Sequence, residues 1–522
     1  MVLLYDIYQR FKVYVIVFLI TVPVCISGQQ NESTEILWDT WGVPHIYAKN
    51  TVEMYYAFGY AQMKNHSDLI LKLYAQARGQ AAEYWGKEFL ETDKLSHLFE
   101  LTEKAENAYK QLSPETKLNL DAFVHGINDY ANSHPMVIGE KYRQVLPVTS
   151  TDVISHTLRI TCLEFIGGED LQTAKKMADA GSNAMAIAPA KSASKNSLLL
   201  INPHLPWSDY YLWFESHLNC PGFSIYGISL VGMPSVIMGF NNNLGWAHTI
   251  NPIDVSDRYE LELNGDSYVL DGKSHPFKKH EVTIKVKQSN GSIIEQPFVF
   301  KYSLHGPVLA ETNKKAFAIR IAGLENSGIY EQYFTMAKAR NFNEFESALK
   351  MMQIPMFNII YADREGNIFY IFNGNIPVRN EGDFAFWKGT IDGTQSKFIW
   401  NKYHDYTELP KLLNPATGFI QNCNDAPWSC TYPFILHQRD YPPYFSSQSF
   451  LLRPQRAVNL VKENNSVTFE QLIDYKLNTG MEAADRFLDD LIKAVKNYPD
   501  SMAVEAAKVL NKWDRKTETT SK

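Results

Sequence analysis

The hydrophobic period of the chain changes at about residue 181, and that change limits the folds open to it. From Thr51 to Tyr130 apolar residues recur with helical spacing; Leu69, Leu71, Leu73 and Tyr74 lie near Ala77 and Ala81, with Gly79 as the breaker. Residues 150–180 read as helical again. Beyond them, Ala184–Ala188 and Ser197–Asn202 flank the turn-like Lys191–Asn196 and predict a hairpin. Further strands are predicted at 222–240, 259–270, 280–288 and 296–303, and a second hairpin at Tyr361–Tyr370. Helical pattern returns at 455–463 and 468–496, while 36–48 predict two short strands about a glycine turn. Helices, then many strands, then helices predict an α+β fold.

The 522 residues are 45% apolar and 13% aromatic, enough for a large core and unlike a disordered, collagenous or disulfide-stapled chain. Net charge is 50 − 57 = −7 with no run of five Lys/Arg, which argues against nucleic acid as a partner. Residues 1–28 differ from the rest. Arg10 and Lys12 precede the apolar-biased Val13–Ile26, then come Ser27 and Gly28. A membrane span needs about 18 or more apolar residues, so 1–28 predict a cleaved signal peptide and a periplasmic or secreted protein. An uncleaved anchor is the alternative, and bulky Val24 argues against lipidation of Cys25. Cys162, Cys220, Cys423 and Cys430 form no CxxC pair; free buried thiols are preferred to a single disulfide between Cys423 and Cys430.

Common catalytic signatures are missing: no GxSxG, no HExxH, no GxGxxG opening a helix. Asp271-Gly272-Lys273-Ser274 lacks the first glycine of a phosphate loop, since position 267 is Ser267, and His280-Glu281 lacks a second histidine. Gly181-Ser182-Asn183 stands out because a serine opens a strand directly after a loose, Lys-rich segment. Were the bond before it cut, Ser182 would carry a hydroxyl nucleophile and a free α-amino group. An α-amino group has an ordinary pKa of about 7.7–8, so it can act as general base near neutral pH without a histidine.

The companions of this tripeptide are Asn202-Pro203-His204-Leu205-Pro206-Trp207, Trp246-Ala247-His248-Thr249-Ile250-Asn251 and Gln421-Asn422-Cys423-Asn424-Asp425. Upstream stand Asp39-Thr40-Trp41-Gly42-Val43-Pro44-His45, Phe58-Gly59-Tyr60-Ala61-Gln62 and Arg78–Gly86. In this order the motifs resemble the penicillin acylase family of N-terminal-nucleophile hydrolases, which includes acyl-homoserine-lactone and cephalosporin acylases. The resemblance runs from about Ile36 to the C-terminus. It implies a four-layer αββα sandwich with peripheral helices, made as one precursor: signal peptide 1–28, a mostly helical α chain with spacer over 29–181, and a β chain over 182–522. Autocleavage at Gly181–Ser182 would activate this zymogen as an α/β heterodimer. The implied reaction is hydrolysis of a linear amide between an acyl chain and a small amine head group, such as a β-lactam nucleus or homoserine lactone, with a role in antibiotic metabolism.

By position the resemblance makes Ser182 the nucleophile and places His204 beside its amine. It makes the Ile250 N–H and the Asn424 side chain the oxyanion donors, and Arg453 the residue orienting them. Asn422 competes with Asn424 and reads as a turn residue; Arg456 competes with Arg453. Leu205, Met238, His248 and Phe357 match positions around an acyl pocket. No cofactor is required; a structural calcium on Asp254 and Asp257, with Glu164 or Glu169 as a third carboxylate, is the one metal the resemblance leaves open. The sequence stops within a helical pattern near Leu510–Lys516, where family members continue, so the resemblance also implies a shortened chain with exposed edges and reduced stability. Two rivals remain: a truncated, inactive envelope protein of the same fold, and a carbohydrate-binding β-sandwich. The second is disfavoured because the aromatic residues are spread through buried-looking strands.

Overall fold

Strand alternation and helix capping sort the chain into mixed layers, seen in a computed structural model that describes residues 33–171, 181–498 and 500–521. The predicted signal peptide and the end of the proposed spacer lie outside the described residues. Among those described, no helix is long and apolar enough to cross a membrane. Among the described residues the strands form three sheets. The largest runs, in spatial order, through Glu35–Trp38, Pro44–Tyr47, Trp213–Cys220, Phe223–Leu230, Met238–Phe240, Leu244–Thr249, Asn358–Asp363, Ile368–Phe372 and Lys411–Leu413. A three-stranded sheet has Gly181–Ile187 at its centre, between Phe419–Asn422 and Leu198–His204. A third, mostly antiparallel sheet is built around Ser256–Asn264 and Lys315–Ile321.

The serine strand alternates its side chains between two layers. Ala184 and Ala186 enter the main core, and their small size lets the three-stranded sheet approach Leu244–Thr249 and Asn358–Asp363 of the large sheet. Met185 and Ile187 point the other way and join Leu200, Phe419, Val458, Val461 and Leu472 under helices Leu452–Val461 and Phe469–Lys476. On the far side of the large sheet, Phe345 of helix Phe342–Leu349 packs on Trp246 and Tyr361.

Both predicted hairpins form, with Ala184 opposite Ile201 and Tyr361 opposite Phe369. The strands at 36–48 and the helical region after Thr51 are also present. Gly79 ends the helix Thr51–Arg78 in the left-handed conformation that glycine adopts without steric cost. The pattern at 468–496 is two helices rather than one. The Asn478 side chain accepts the Gly480 N–H and breaks them, before Glu482–Asn497 begins. Helices Ile329–Lys338 and Phe342–Leu349 were not anticipated; the second carries a readable signal, Asn341 capping the Glu344 N–H. The four described cysteines, Cys162, Cys220, Cys423 and Cys430, are free, and three are buried.

Helices Thr51–Arg78 and Pro114–Ser133 cross backbone to backbone. A Cβ on Gly59 would lie 1.9 Å from the Phe123 carbonyl oxygen, and one on Gly126 would lie 2.0 Å from that of Tyr56. Neither helix can yield without moving its neighbours. Gly126→Ala is therefore expected to cost about 2–3 kcal/mol of stability, read as a shift in urea midpoint. An unchanged midpoint would mean that the crossing is loose.

Candidate active site

The register of the three-stranded sheet brings the proposed cleavage point to one end of its central strand. Gly181 pairs with His204 and Ser182 with Pro203. Ser182 is buried. Its Oγ donates to the Gly181 carbonyl oxygen at 2.6 Å, so the hydroxyl sits beside the peptide that would be cut. Its N–H donates to Asn424 Oδ1 at 2.5 Å.

Asn424 has φ 64°, the left-handed region that asparagine tolerates better than most residues. Its Nδ2 donates to the Ile250 carbonyl at 2.8 Å, leaving a second amide proton uncommitted there. The Ile250 N–H has no hydrogen-bond acceptor among the described residues. Arg453, on helix Leu452–Val461, donates to the Ser182 carbonyl at 2.9 Å, Asn183 Oδ1 at 2.8 Å and Asn424 Oδ1 at 2.8 Å. A Cβ on Gly181 would press on both guanidinium nitrogens at 3.1 Å, so glycine fits here. Arg456 turns away to Asn478 and Asp485. Geometry thus favours Arg453 of the two.

Asn422 is a fully buried strand residue rather than the turn residue expected from the sequence. Its Oδ1 accepts from Thr249 Oγ1 at 2.5 Å, Asn358 Nδ2 at 3.0 Å and the Asn424 N–H at 2.9 Å. It therefore ties the large sheet to the backbone of Asn424. Next in the chain, buried Asp425 accepts the Cys423 N–H and the Ser429 hydroxyl.

Ser182 opens onto an apolar pocket with about 680 Å³ of empty space, its open mouth included. Leu205, Met238, His248, Ile250 and Phe357 all line it, so the structure gathers every sequence-predicted acyl-pocket residue around the serine. Tyr330, Tyr333 and Trp213 add wall that the sequence did not single out. His248 stacks on Phe357 with centroids 4.9 Å apart. The carbonyls of Asn358 and Ile237 face its ring without closing to hydrogen-bond geometry. Phe357 holds a positive φ of 109°, unusual for a bulky residue. Asn251 Oδ1 accepts the Phe357 N–H at 3.1 Å and the Asn373 N–H bonds the Phe357 carbonyl, which keeps the ring in the wall. His204 is half-buried; burial first, then the charges of Arg453 and Lys476, hold its pKa below the ordinary value and favour the neutral ring.

The calcium expectation does not fit these residues. Asp254 and Asp257 both bond the buried guanidinium of Arg379. Glu164 pairs with Arg159 and accepts the Tyr210 hydroxyl, and Glu169 lies near Lys388. Among the described residues no group of three or more His, Cys, Asp or Glu side chains could hold a metal. Arg379 lies more than a hundred residues from its partners, and no local pattern announces it.

Burial pushes the His248 pKa down from 6.5 to about 3. The unfolded chain takes up this proton below about 6.5 and the folded chain refuses it, so stability is lost as pH falls from there toward 3. His248→Phe removes the proton difference. The slope of stability against pH between 6 and 4 is then expected to fall by about 1.4 kcal/mol per pH unit relative to wild type. Urea midpoints across that range measure it, and parallel curves for the two proteins would contradict it.

Known proteins share this arrangement of sequence and fold. The penicillin amidase family profile matches residues 33–522. The acyl-homoserine lactone acylase PvdQ of Pseudomonas fluorescens strain Pf0-1 is 25% identical, over 91% of this chain and 69% of its own length. That of Pseudomonas savastanoi pv. phaseolicola is 26% identical, over 95% and 73%. The thermostable penicillin G acylase of Alcaligenes faecalis superposes with a TM-score of 0.54 at 21% identity, over 65% of this chain and 60% of that one, and so shares the fold. The chain spans roughly two thirds of the length of these relatives. On the match along nearly all its described length, the chain belongs to the penicillin amidase family.

Proposed function

We propose that this protein is an acylase that hydrolyses a linear amide between an apolar acyl chain and a small amine head group, using Ser182 as an N-terminal nucleophile. The observation that carries the reading is the placement of Ser182: its hydroxyl on the Gly181 carbonyl, its N–H on Asn424, and its side chain at an apolar pocket. Family membership supports an amide hydrolase, and acyl-homoserine lactones, on which the named relatives act, are the first substrates to try.

Activation comes first. Ser182 Oγ attacks the Gly181 carbonyl carbon and loses its proton; the C–N bond breaks as the nitrogen gains one, leaving an ester. Water hydrolyses the ester, giving a Gly181 carboxylate and a chain that begins Ser-Asn-Ala-Met. The product is a two-chain molecule of the four-layer type, supported by the helix and sheet packing on both sides of the serine strand. Export through residues 1–28 belongs to the same proposal.

In turnover Ser182 Oγ attacks the substrate carbonyl and its own α-amine, directly or through a water, takes the proton. The adjacent Arg453 charge favours the neutral amine, and neutral His204 stands nearby. The second Asn424 Nδ2 proton and the Ile250 N–H hold the oxyanion. In a water-poor pocket such fixed donors are worth more than in solvent. The ammonium then protonates the leaving amine, and water releases the acyl group from Ser182.

Intact mass and N-terminal sequencing of wild type and Ser182→Ala test the activation step. The wild type is expected to yield a chain starting at Ser182, and the alanine variant to stay whole and inactive. An alanine variant still cut at this bond would implicate a host protease and remove the proposal's best support. A wild type that stays whole and inactive would favour a non-catalytic protein of this fold. For turnover, Asn424→Ala is expected to lower kcat by about 10²–10³ with the chain still folded. Asn422→Ala should instead unfold at lower urea, because it strands buried Thr249 and Asn358. Equal folding and equal kcat loss in the two variants would contradict this division of roles.

A further inference from the structure

Two buried carboxylates side by side need a positive charge, and the fold supplies one from within the chain. Arg379 is completely buried at its side chain. Its Nη1 donates to Asp254 Oδ2 at 3.2 Å, and its Nη2 to the Asp254 carbonyl at 3.0 Å and to both Asp257 oxygens at 2.9 and 3.0 Å. These four oxygens from two residues make a hard donor set of the kind a divalent cation takes. Both carboxyls are buried beside this guanidinium, where an unpaired charge would be costly. Lys388 is 3.7 Å from Asp254 but half-exposed, and adds a screened contribution.

The surroundings suit a flat ion. The guanidinium carbon lies 4.3 Å from the Trp387 ring centroid and 5.8 Å from that of Tyr444. Trp400 Nε1 donates to Asp257 Oδ2 at 2.5 Å and fills one of its remaining lone pairs. A planar, weakly hydrated guanidinium can stack on these rings and bond the carboxylates at once; a hydrated metal ion or an ammonium cannot do both.

We propose that Arg379 is the resident cation of this site, replacing a divalent metal, so that the protein is stable without one and acquires a metal-competent site only when the guanidinium is removed. The test reads melting temperature and calcium binding, and so stands or falls separately from the amidase assignment. Wild-type protein treated with EDTA is expected to melt at the same temperature with and without 5 mM calcium chloride, and to bind no calcium by calorimetry. Arg379→Ala is expected to melt about 5–10 °C lower, the size of shift expected when a buried pair loses one partner. Calcium at 5 mM should recover part of that loss. If the alanine variant does not fold, Arg379→Met combined with Asp254→Asn and Asp257→Asn removes cation and anions together. That triple variant is expected to fold where Arg379→Met alone does not. Calcium binding or EDTA sensitivity in the wild type would overturn the proposal. So would an Arg379→Ala protein that melts like wild type or gains nothing from calcium, or a triple variant no more stable than Arg379→Met.

Discussion

One side-chain amide, that of Asn424, sets the geometry on which the proposed chemistry depends. Its oxygen accepts from the Ser182 N–H and from Arg453, and its nitrogen reaches the Ile250 carbonyl. That side chain is in place only because its backbone is left-handed and anchored to Asn422, which in turn bonds Thr249 and Asn358 of the large sheet. The chain of dependence runs from sheet to asparagine pair to serine. A buried polar network of this kind is costly if any member goes unpaired, so it holds one arrangement.

The pocket and the polar network meet at Ser182 and divide the work between them. Leu205, Met238 and Phe357 form an apolar wall beside the serine, and in the proposed reaction an acyl chain would lie against it. Positive charge reaches the edge of the site through the exposed Arg453, while the buried Arg379 is spent on Asp254 and Asp257. His204 and His248 are both held toward their neutral forms, one opposite Gly181 in the sheet and one in the wall. Neither adds a competing charge where an oxyanion would form.

What could be read from the sequence was what carries a local signature. The switch from helical to strand period placed Ser182 at a strand start, while Met238 and His248 were assigned to the pocket wall by the resemblance alone; the structure has both. Arg453 and Arg456 are three residues apart on one helix, so periodicity could not choose between them, and the choice depends on which turn faces Gly181. Asn422 looked like a turn residue because asparagine usually is one; its burial depends on Thr249 and Asn358, far away in sequence. The calcium expectation met the same difficulty. Two aspartates near each other suggest a cation, but the guanidinium that bonds both comes from a residue more than a hundred positions on.

The central claim is that Ser182, with its own amine as base, is the reacting group. The most direct measurement is to treat the purified protein with phenylmethylsulfonyl fluoride and locate the adduct by peptide mass spectrometry. The account predicts a single sulfonyl group on the hydroxyl of a Ser182 that begins its chain, with loss of amidase activity in proportion to labelling. An adduct on another residue, or full labelling of Ser182 with activity intact, would contradict it.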